Sequence, residues 1–238
     1  MDILYLIKDT PTNEEMKYSL RSLVNIPHDK VFLVGGCPKE IDKTKIIHIP
    51  LKQTPNKYQN TTTAIQAACK DPRLSEEFIL MNDDFFILKL IQDPHKELNL
   101  CRGTMAEVIQ EYTKIYRSDS NSYMVGMRQT KIFLEDLGIK NPLSYELHIP
   151  TIMAKNGVLR AFSLPYLHTL RVIHKRTIYG NLYQNDSQKV DDVKIRNKKD
   201  LEHLAIKEQK FLSTADDTWK YVKPYMQELF PEKGVYEI

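Results

Sequence analysis

Short apolar runs alternate with amphipathic stretches over the first hundred residues. Residues 3–7 form an unbroken apolar run of the length of a buried strand. The next stretch sets Met16, Leu20, Leu23 and Val24 on one helical face, with Thr12 or Asn13 to cap its start and Pro27 to stop it. Residues 31–34 read as a second buried strand, ended by Gly35 and Gly36, and residues 46–49 as a third, ended by Pro50. Thr61 to Thr63 can cap a helix through Ala64, Ile65, Ala67 and Ala68, broken at Asp71-Pro72. Phe78, Ile79, Leu80 and Met81 make a fourth strand that runs straight into Asn82-Asp83-Asp84. This rhythm predicts an α/β fold, a mostly parallel sheet covered by helices.

The second half is less regular. Residues 105–116 look helical, 118–122 are a polar loop, 123–127 suit a strand, and 131–137 suit a short helix stopped by Gly138. Charges dominate residues 191–210, which read as an exposed helix. The tail carries Trp219, Tyr221, Tyr225, Phe230 and Tyr236, too much aromatic surface for a disordered end, and Pro224 and Pro231 bound its last helix. No repeat or low-complexity linker divides the chain, so residues 1–238 read as a single domain with a helical C-terminal portion.

Composition narrows the classes. Of 238 residues, 42% are hydrophobic and 27% charged, which excludes bulk disorder and fibrous folds. The net charge of +3 is too mild to demand a nucleic-acid partner. Cys37, Cys69 and Cys101 are widely spaced and odd in number, which builds neither a disulfide framework nor a zinc site and suits a reducing compartment. Asp2 stands where a secretory leader needs positive charge, and no apolar run approaches the roughly 18 residues of a membrane span. The expectation is a cytoplasmic protein with no membrane span. Neither GxGxxG nor GxxxxGK[ST] occurs, and glycine is scarce, at 8 residues.

The strongest chemical signal is Asn82-Asp83-Asp84 at the end of a strand. Open α/β sheets bind ligands beyond the carboxyl ends of their strands. Two adjacent carboxylates there can hold Mg²⁺ or Mn²⁺, which takes one or two carboxylates and completes its shell with water and substrate phosphates. The acidic motif of metal-dependent glycosyltransferases does this for the diphosphate of a nucleotide-sugar. Turn chemistry is the alternative, since Asn and Asp favour strand ends.

Residues 78–86, FILMNDDFF, resemble the "FIYxNDDxFF" segment of the Stealth proteins, sugar-phosphate transferases that pass hexose-1-phosphate from a nucleotide-sugar to a glycan hydroxyl. Asp2-Ile3-Leu4-Tyr5 with Asp9 is similar to their opening "DIVYTWVDG", residues 17–23 to their "RYSLRSI", and Leu229-Phe230-Pro231 with Tyr236-Glu237 to their closing "FPxPSxFE". Leu147-His148-Ile149-Pro150 echoes their "HxP" segment. The family's Trp and Gly near the first strand are Ile7 and Thr10 here, or close to it. The resemblance implies a GT-A-like (Rossmann-like) domain that uses a nucleotide-sugar donor and a divalent metal, with Asp83 and Asp84 as metal ligands.

It also implies roles for other residues. Asp9 would lie where the nucleotide base or ribose sits, or it belongs to the turn through Thr10 and Pro11. Arg21 is a candidate phosphate or carboxylate partner, because its planar fork suits both, or part of a solvated helix face. Asn82 joins the donor site. His148 is a candidate general base on an acceptor hydroxyl, or a structural histidine. Arg176 is the candidate contact for donor phosphate, with Arg171 in reserve, against a solvent-facing basic turn. Asp216 and Asp217 make a second acidic contribution or cap the helix of Trp219. The reading is therefore a transferase with Asp84, His148 and Arg176 as catalytic residues, and Asp9, Arg21, Asn82 and Arg171 at the donor. Its partners are a nucleotide-sugar and a glycan or other hydroxyl acceptor. Two alternatives stay open. Residues 171–200, with eight Lys/Arg against four Asp/Glu, suit a nucleic-acid acceptor such as a modified base in DNA. A non-catalytic nucleotide-sugar-binding module is the other.

Overall fold

A computed structural model of the chain describes residues 1–115, 121–203, 206–215 and 217–238. The first half runs β1 (Asp2–Ile7), α1 (Glu14–Ser22), β2 (Val31–Gly35), β3 (Ile47–Pro50), α2 (Lys57–Lys70), β4 (Glu77–Asn82), β5 (Phe85–Ile87), α3 (Pro94–Glu97), β6 (Leu100–Cys101) and α4 (Met105–Ile115). The second half runs α5 (Ser122–Asp136), β7 (Thr151–Ala154), α6 (Lys155–Phe162), α7 (Lys175–Tyr183), β8 (Gln188–Lys189), β9 (Lys194–Ile195), α8 (Lys198–His203), β10 (Phe211–Thr214) and α9 (Trp219–Leu229).

Among the described residues the main sheet is five-stranded, in the order β3-β2-β1-β4-β7. Its first four strands are parallel, and β7 runs antiparallel to β4. Alternate residues of the central strands enter different cores. Ile3, Tyr5, Leu33, Ile79 and Met81 pack with Met16, Leu20 and Leu23 on the α1 side. Leu4, Leu6, Phe32, Val34, Phe78 and Leu80 pack with Ala64, Ile65 and Ala68 of α2 and Val158 of α6. Both faces are therefore covered by helices, which is why these strands read as continuous apolar runs. The expected α/β architecture, with a mostly parallel sheet, is the one observed.

The parallel strands deliver Ile7, Gly35, Pro50 and Asn82 to one edge of the sheet. Gly35 has φ +107°, and a Cβ there would fall 2.2 Å from the Ile7 carbonyl oxygen. Only glycine tolerates both conditions. At this edge the Gln53 side chain donates to Ile7 O (2.7 Å) and accepts from Asp9 N (3.1 Å).

A second sheet, β5-β10-β9, holds the C-terminal portion against the end of β4. β10 runs antiparallel to β5 and parallel to β9. Trp219 stacks on Phe86 with ring centroids 5.7 Å apart. The chain end returns to α1, where Arg21 grips Glu237 with a two-pronged ion pair (Nε to Oε1 2.6 Å, Nη2 to Oε2 2.9 Å) and donates to Phe230 O. Tyr236 meets His28, and Ile41 bridges Glu237. The aromatic tail is thus part of the packed structure.

Several local expectations are corrected. α1 stops at Ser22 and tightens into a 3₁₀ turn over Leu23–Asn25, so Val24 leaves the apolar face and is exposed. Asn56, not a threonine, caps α2, and Thr61 and Thr62 lie inside that helix, bonding back to Tyr58 O. Residues 123–127, expected as a strand, belong to α5, whose buried Met124, Met127, Thr130 and Leu134 recur at helical spacing. The expected helix over 191–210 is replaced by β9, the short α8 and a 3₁₀ turn at Ile206–Glu208. Pro224 sits inside α9 rather than bounding it. The loop expected at 118–122 falls mostly outside the described residues, as does Tyr116, the end expected of the helix from Met105. No helix among the described residues is long and apolar enough to cross a membrane.

Candidate active site

β4 ends at Asn82, and Asp83 and Asp84 turn the chain into β5 at Phe85. One amide fixes the first carboxylate. Asn13 caps α1 by accepting from Met16 N at 3.0 Å, and its Nδ2 donates to Asp83 Oδ2 at 2.6 Å. The second carboxylate is held from the other side. Asp84 Oδ2 accepts from Lys194 Nζ (2.9 Å) and Ser213 Oγ (3.0 Å), and these two residues are register partners on β9 and β10. Two elements distant in sequence therefore aim the turn.

Arg176, in the first turn of α7, reaches the same place. Its Nη2 lies 3.4 Å from Asn82 Oδ1, and its guanidinium sits over the Phe85 ring, 5.0 Å from the centroid. Its Nε is buried with no hydrogen-bond partner among the described residues. Such an orphaned charge-bearing donor is costly and calls for an explanation. Gly180 lets α7 pack closely on Tyr145, where a Cβ would clash with the ring. The start of α7 is braced by Glu146, which accepts from Thr177 N at 3.2 Å and faces His174 Nδ1 at 3.8 Å.

Charges are perturbed here. Burial pushes Lys175 down to about 8, Arg176 pushes the same way, and Glu146 only partly offsets them. Burial would raise Glu146, but His174, Arg176 and Lys175 together pull its carboxyl to about 2. A carboxyl depressed from 4.5 contributes stability above about pH 4.5 that is lost as pH falls toward 2. Glu146→Gln is therefore expected to flatten the loss of melting temperature across that acid window. An unchanged acid limb in the variant would refute the assignment.

His148 completes the group. It meets the edge of Phe85, centroids 6.1 Å apart, so that Arg176 and His148 flank one ring. Asp192 accepts from His148 N (3.1 Å) and lies 2.9 and 3.0 Å from Nδ1. Asp192 is nearly inaccessible and also pairs with Arg196 Nη2 at 2.6 Å. Burial opposes its ionisation, yet His148 and Arg196 hold its carboxyl well below the usual range. With Nδ1 occupied, Nε2 is the ring nitrogen left for a substrate. A polar cavity of about 380 Å³ adjoins Asp192, lined also by Arg102, Glu107, Glu111, Lys189 and Arg196.

The structure thus sets Arg176 against Asn82 beside the Asp83-Asp84 turn, and His148 against the Phe85 ring that Arg176 also covers. Asp9 is exposed on the same sheet edge, held through its backbone by Gln53. Arg21 is not brought there. It lies roughly 12 Å along α1 from Asn13, and its Nε, Nη1 and Nη2 each already donate to Glu237 or Phe230 O. Arg171 is exposed, bonding Ser122 Oγ at 3.3 Å and Gln129, and contacts none of the group. Asp216 lies outside the described residues, and Asp217 is exposed. The basic stretch 171–200 is not one face. It is divided among α7, β8, β9 and α8, and Lys189, Lys194 and Arg196 pair with Glu107, Asp84 and Asp192.

Sequence reasoning missed Asn13, Asp192, Lys194 and Ser213 as partners of the group. Asn13 carried a signal as a cap; the other three carried none beyond residue type. Among the described residues no three His, Cys, Asp or Glu side chains converge on one point. The oxygens suited to a hard cation are those of Asp83 and Asp84.

No protein-family model matches the chain, and no curated protein does. Solved structures do. The galactosyltransferase LgtC in complex with donor and acceptor sugar analogs matches with a TM-score of 0.53 at 9% identity, covering 97% of this chain and 95% of that one. An active-site mutant of LgtC matches with a TM-score of 0.49 at 8% identity, covering 96% and 95%. At this identity the likeness to the LgtC complex concerns the fold, which is GT-A-type along nearly the whole of both chains.

Proposed function

We propose that this chain is a transferase that moves a sugar from a nucleotide-sugar donor to a hydroxyl of a sugar acceptor. The observation that carries the reading is Arg176. It is a half-buried cation with an unpaired Nε, set against Asn82 and the Asp83-Asp84 turn at the carboxyl edge of a parallel sheet. A diphosphate would supply the missing acceptor. The fold likeness to a galactosyltransferase solved with donor and acceptor sugar analogs supports the same class.

The acidic turn fits a hard divalent cation. It offers two carboxylates and no protein cage, and Asp84 Oδ1 has no partner among the described residues while Oδ2 carries Lys194 and Ser213. Mg²⁺ or Mn²⁺ takes one or two carboxylates and leaves the rest of its shell to water and phosphate. When bound, it would neutralise the diphosphate and the charge on the leaving group. Asp83 and Asp84 would hold it, and Arg176 would hold the phosphate from the other side. His148, its Nδ1 fixed on Asp192, would accept the acceptor hydroxyl proton at Nε2. Attack at the anomeric carbon expels the nucleoside diphosphate. In the Stealth-like reaction, attack at the β-phosphorus expels the monophosphate. The LgtC likeness favours the first.

A thermal-shift panel of nucleotide-sugars, with and without Mn²⁺, tests the reading. A ligand at ~100 times its dissociation constant stabilises by roughly 2.7 kcal/mol. Arg176→Met should lose the shift. His148→Ala should keep it and lose turnover by ~10²–10⁴-fold. No shift with any donor in either condition would refute the proposal.

A further inference from the structure

The first turn of α7 holds more than Arg176. Its helix runs Lys175–Tyr183, and its N-cap, His174, makes no side-chain cap bond. Glu146 satisfies Thr177 N, while the N–H groups of Lys175 and Arg176 find no acceptor among the described residues. Lys175 is half-buried, and its Nζ has no hydrogen bond or ion pair among the described residues. The fold therefore sets two adjacent cations and two open backbone donors at the start of one helix, and Arg176 Nε there is buried with no hydrogen-bond partner among the described residues. Glu146 faces this pair and offsets it only in part, so like charges placed side by side out of water still favour a further anion. A helix N-terminus with free N–H groups favours such an anion.

We propose that Lys175 binds the phosphate of the ligand directly, in one cradle with Arg176 and the open N–H groups at the start of α7. This rests on the donor reading above but goes beyond it, because nothing in the sequence singled out Lys175. The groups that face Lys175 are Glu146, from the segment before β7, and Arg176, on its own helix. Their balance, with burial, holds the amine near 8 without ligand. A phosphate would favour the charged ammonium, so anion binding above that pH takes up a proton.

Inorganic pyrophosphate is the probe, titrated calorimetrically at pH 8.5 in buffers of different ionisation enthalpy. The wild type is expected to bind with proton uptake. Lys175→Met should weaken binding at least ~10-fold and abolish the uptake, at unchanged melting temperature. Lys175→Arg should keep most of the affinity but show no uptake, because guanidinium does not titrate there. Equal pyrophosphate affinity in wild type and Lys175→Met would overturn the cradle. Pyrophosphate binding through Lys175 with no nucleotide-sugar bound at all would uphold the cradle and remove the donor reading. Nucleotide-sugars that bind wild type and Lys175→Met equally would do the reverse.

Discussion

Asp84→Asn is expected to abolish metal-dependent donor binding and to lower turnover by ~10²–10³-fold, the scale of losing one aligned electrostatic contact in a transition state. The physical reason is the charge. Asn keeps the size of Asp and an oxygen for Ser213 Oγ, which lies 3.0 Å away, but offers no anion to a cation or to Lys194. The backbone of the turn is held independently, by Thr214 N on Asp84 O and by the pairing of Phe85 with Ser213. The fold should therefore survive with a penalty of about 1–3 kcal/mol for the Lys194 ammonium left without its carboxylate. Calorimetric titration of Mn²⁺ and donor, beside a melting curve, separates the two effects. Full activity in the variant would return Asp83 and Asp84 to the role of a plain turn.

Removing the residues after Tyr225 is expected to lower the melting temperature by roughly 10–40 °C or to leave no folded protein. The truncation deletes Met226, which is fully buried, and Phe230, which packs on the cluster of Tyr18, Phe86 and Val222. It also strips Glu237 and the Phe230 carbonyl from Arg21, whose side chain is only 11% exposed. Emptying a buried Met site costs about 2–5 kcal/mol. An unpaired buried charge costs about 3–5. Against a typical stability of roughly 5–15 kcal/mol this is a large share, and each kcal/mol moves the midpoint by about 2–4 °C at this size. A truncated chain with wild-type melting and donor affinity would show that the tail contributes nothing.

β1, β2 and β4 were legible because both their faces are buried, so local sequence alone carries the signal, and β3 was legible as a short apolar run; β7 was not anticipated. The acidic turn was legible for a similar reason, since Asp83 and Asp84 are neighbours and the strand before them is plain. α5 was not. Tyr123 and Val125 suit a strand, and Gly126 disfavours a helix. The glycine is there because Val172 packs where a Cβ at Gly126 would sit, 2.6 Å from the Val172 Cβ. That contact is absent from any local window. The capping of α2 failed in the same way, since three threonines outweighed the single Asn56 that does the capping.

By itself the sequence determined the α/β order, the place of the acidic turn at a strand end, and the packing of an aromatic tail on the domain, because each follows from neighbours along the chain. Only the tertiary structure decided what surrounds that turn. Lys194 reaches Asp84 across 110 residues, Arg176 reaches Asn82 across 94, and Asp192 reaches His148 across 44. It also moved Arg21 from the donor site to the chain end, where Glu237 meets it from 216 residues away. Residue type shows that a side chain can bear charge. Which charge it faces is set by the packing of β9, α7 and the C-terminal segment on the sheet edge, and that depends on the whole core.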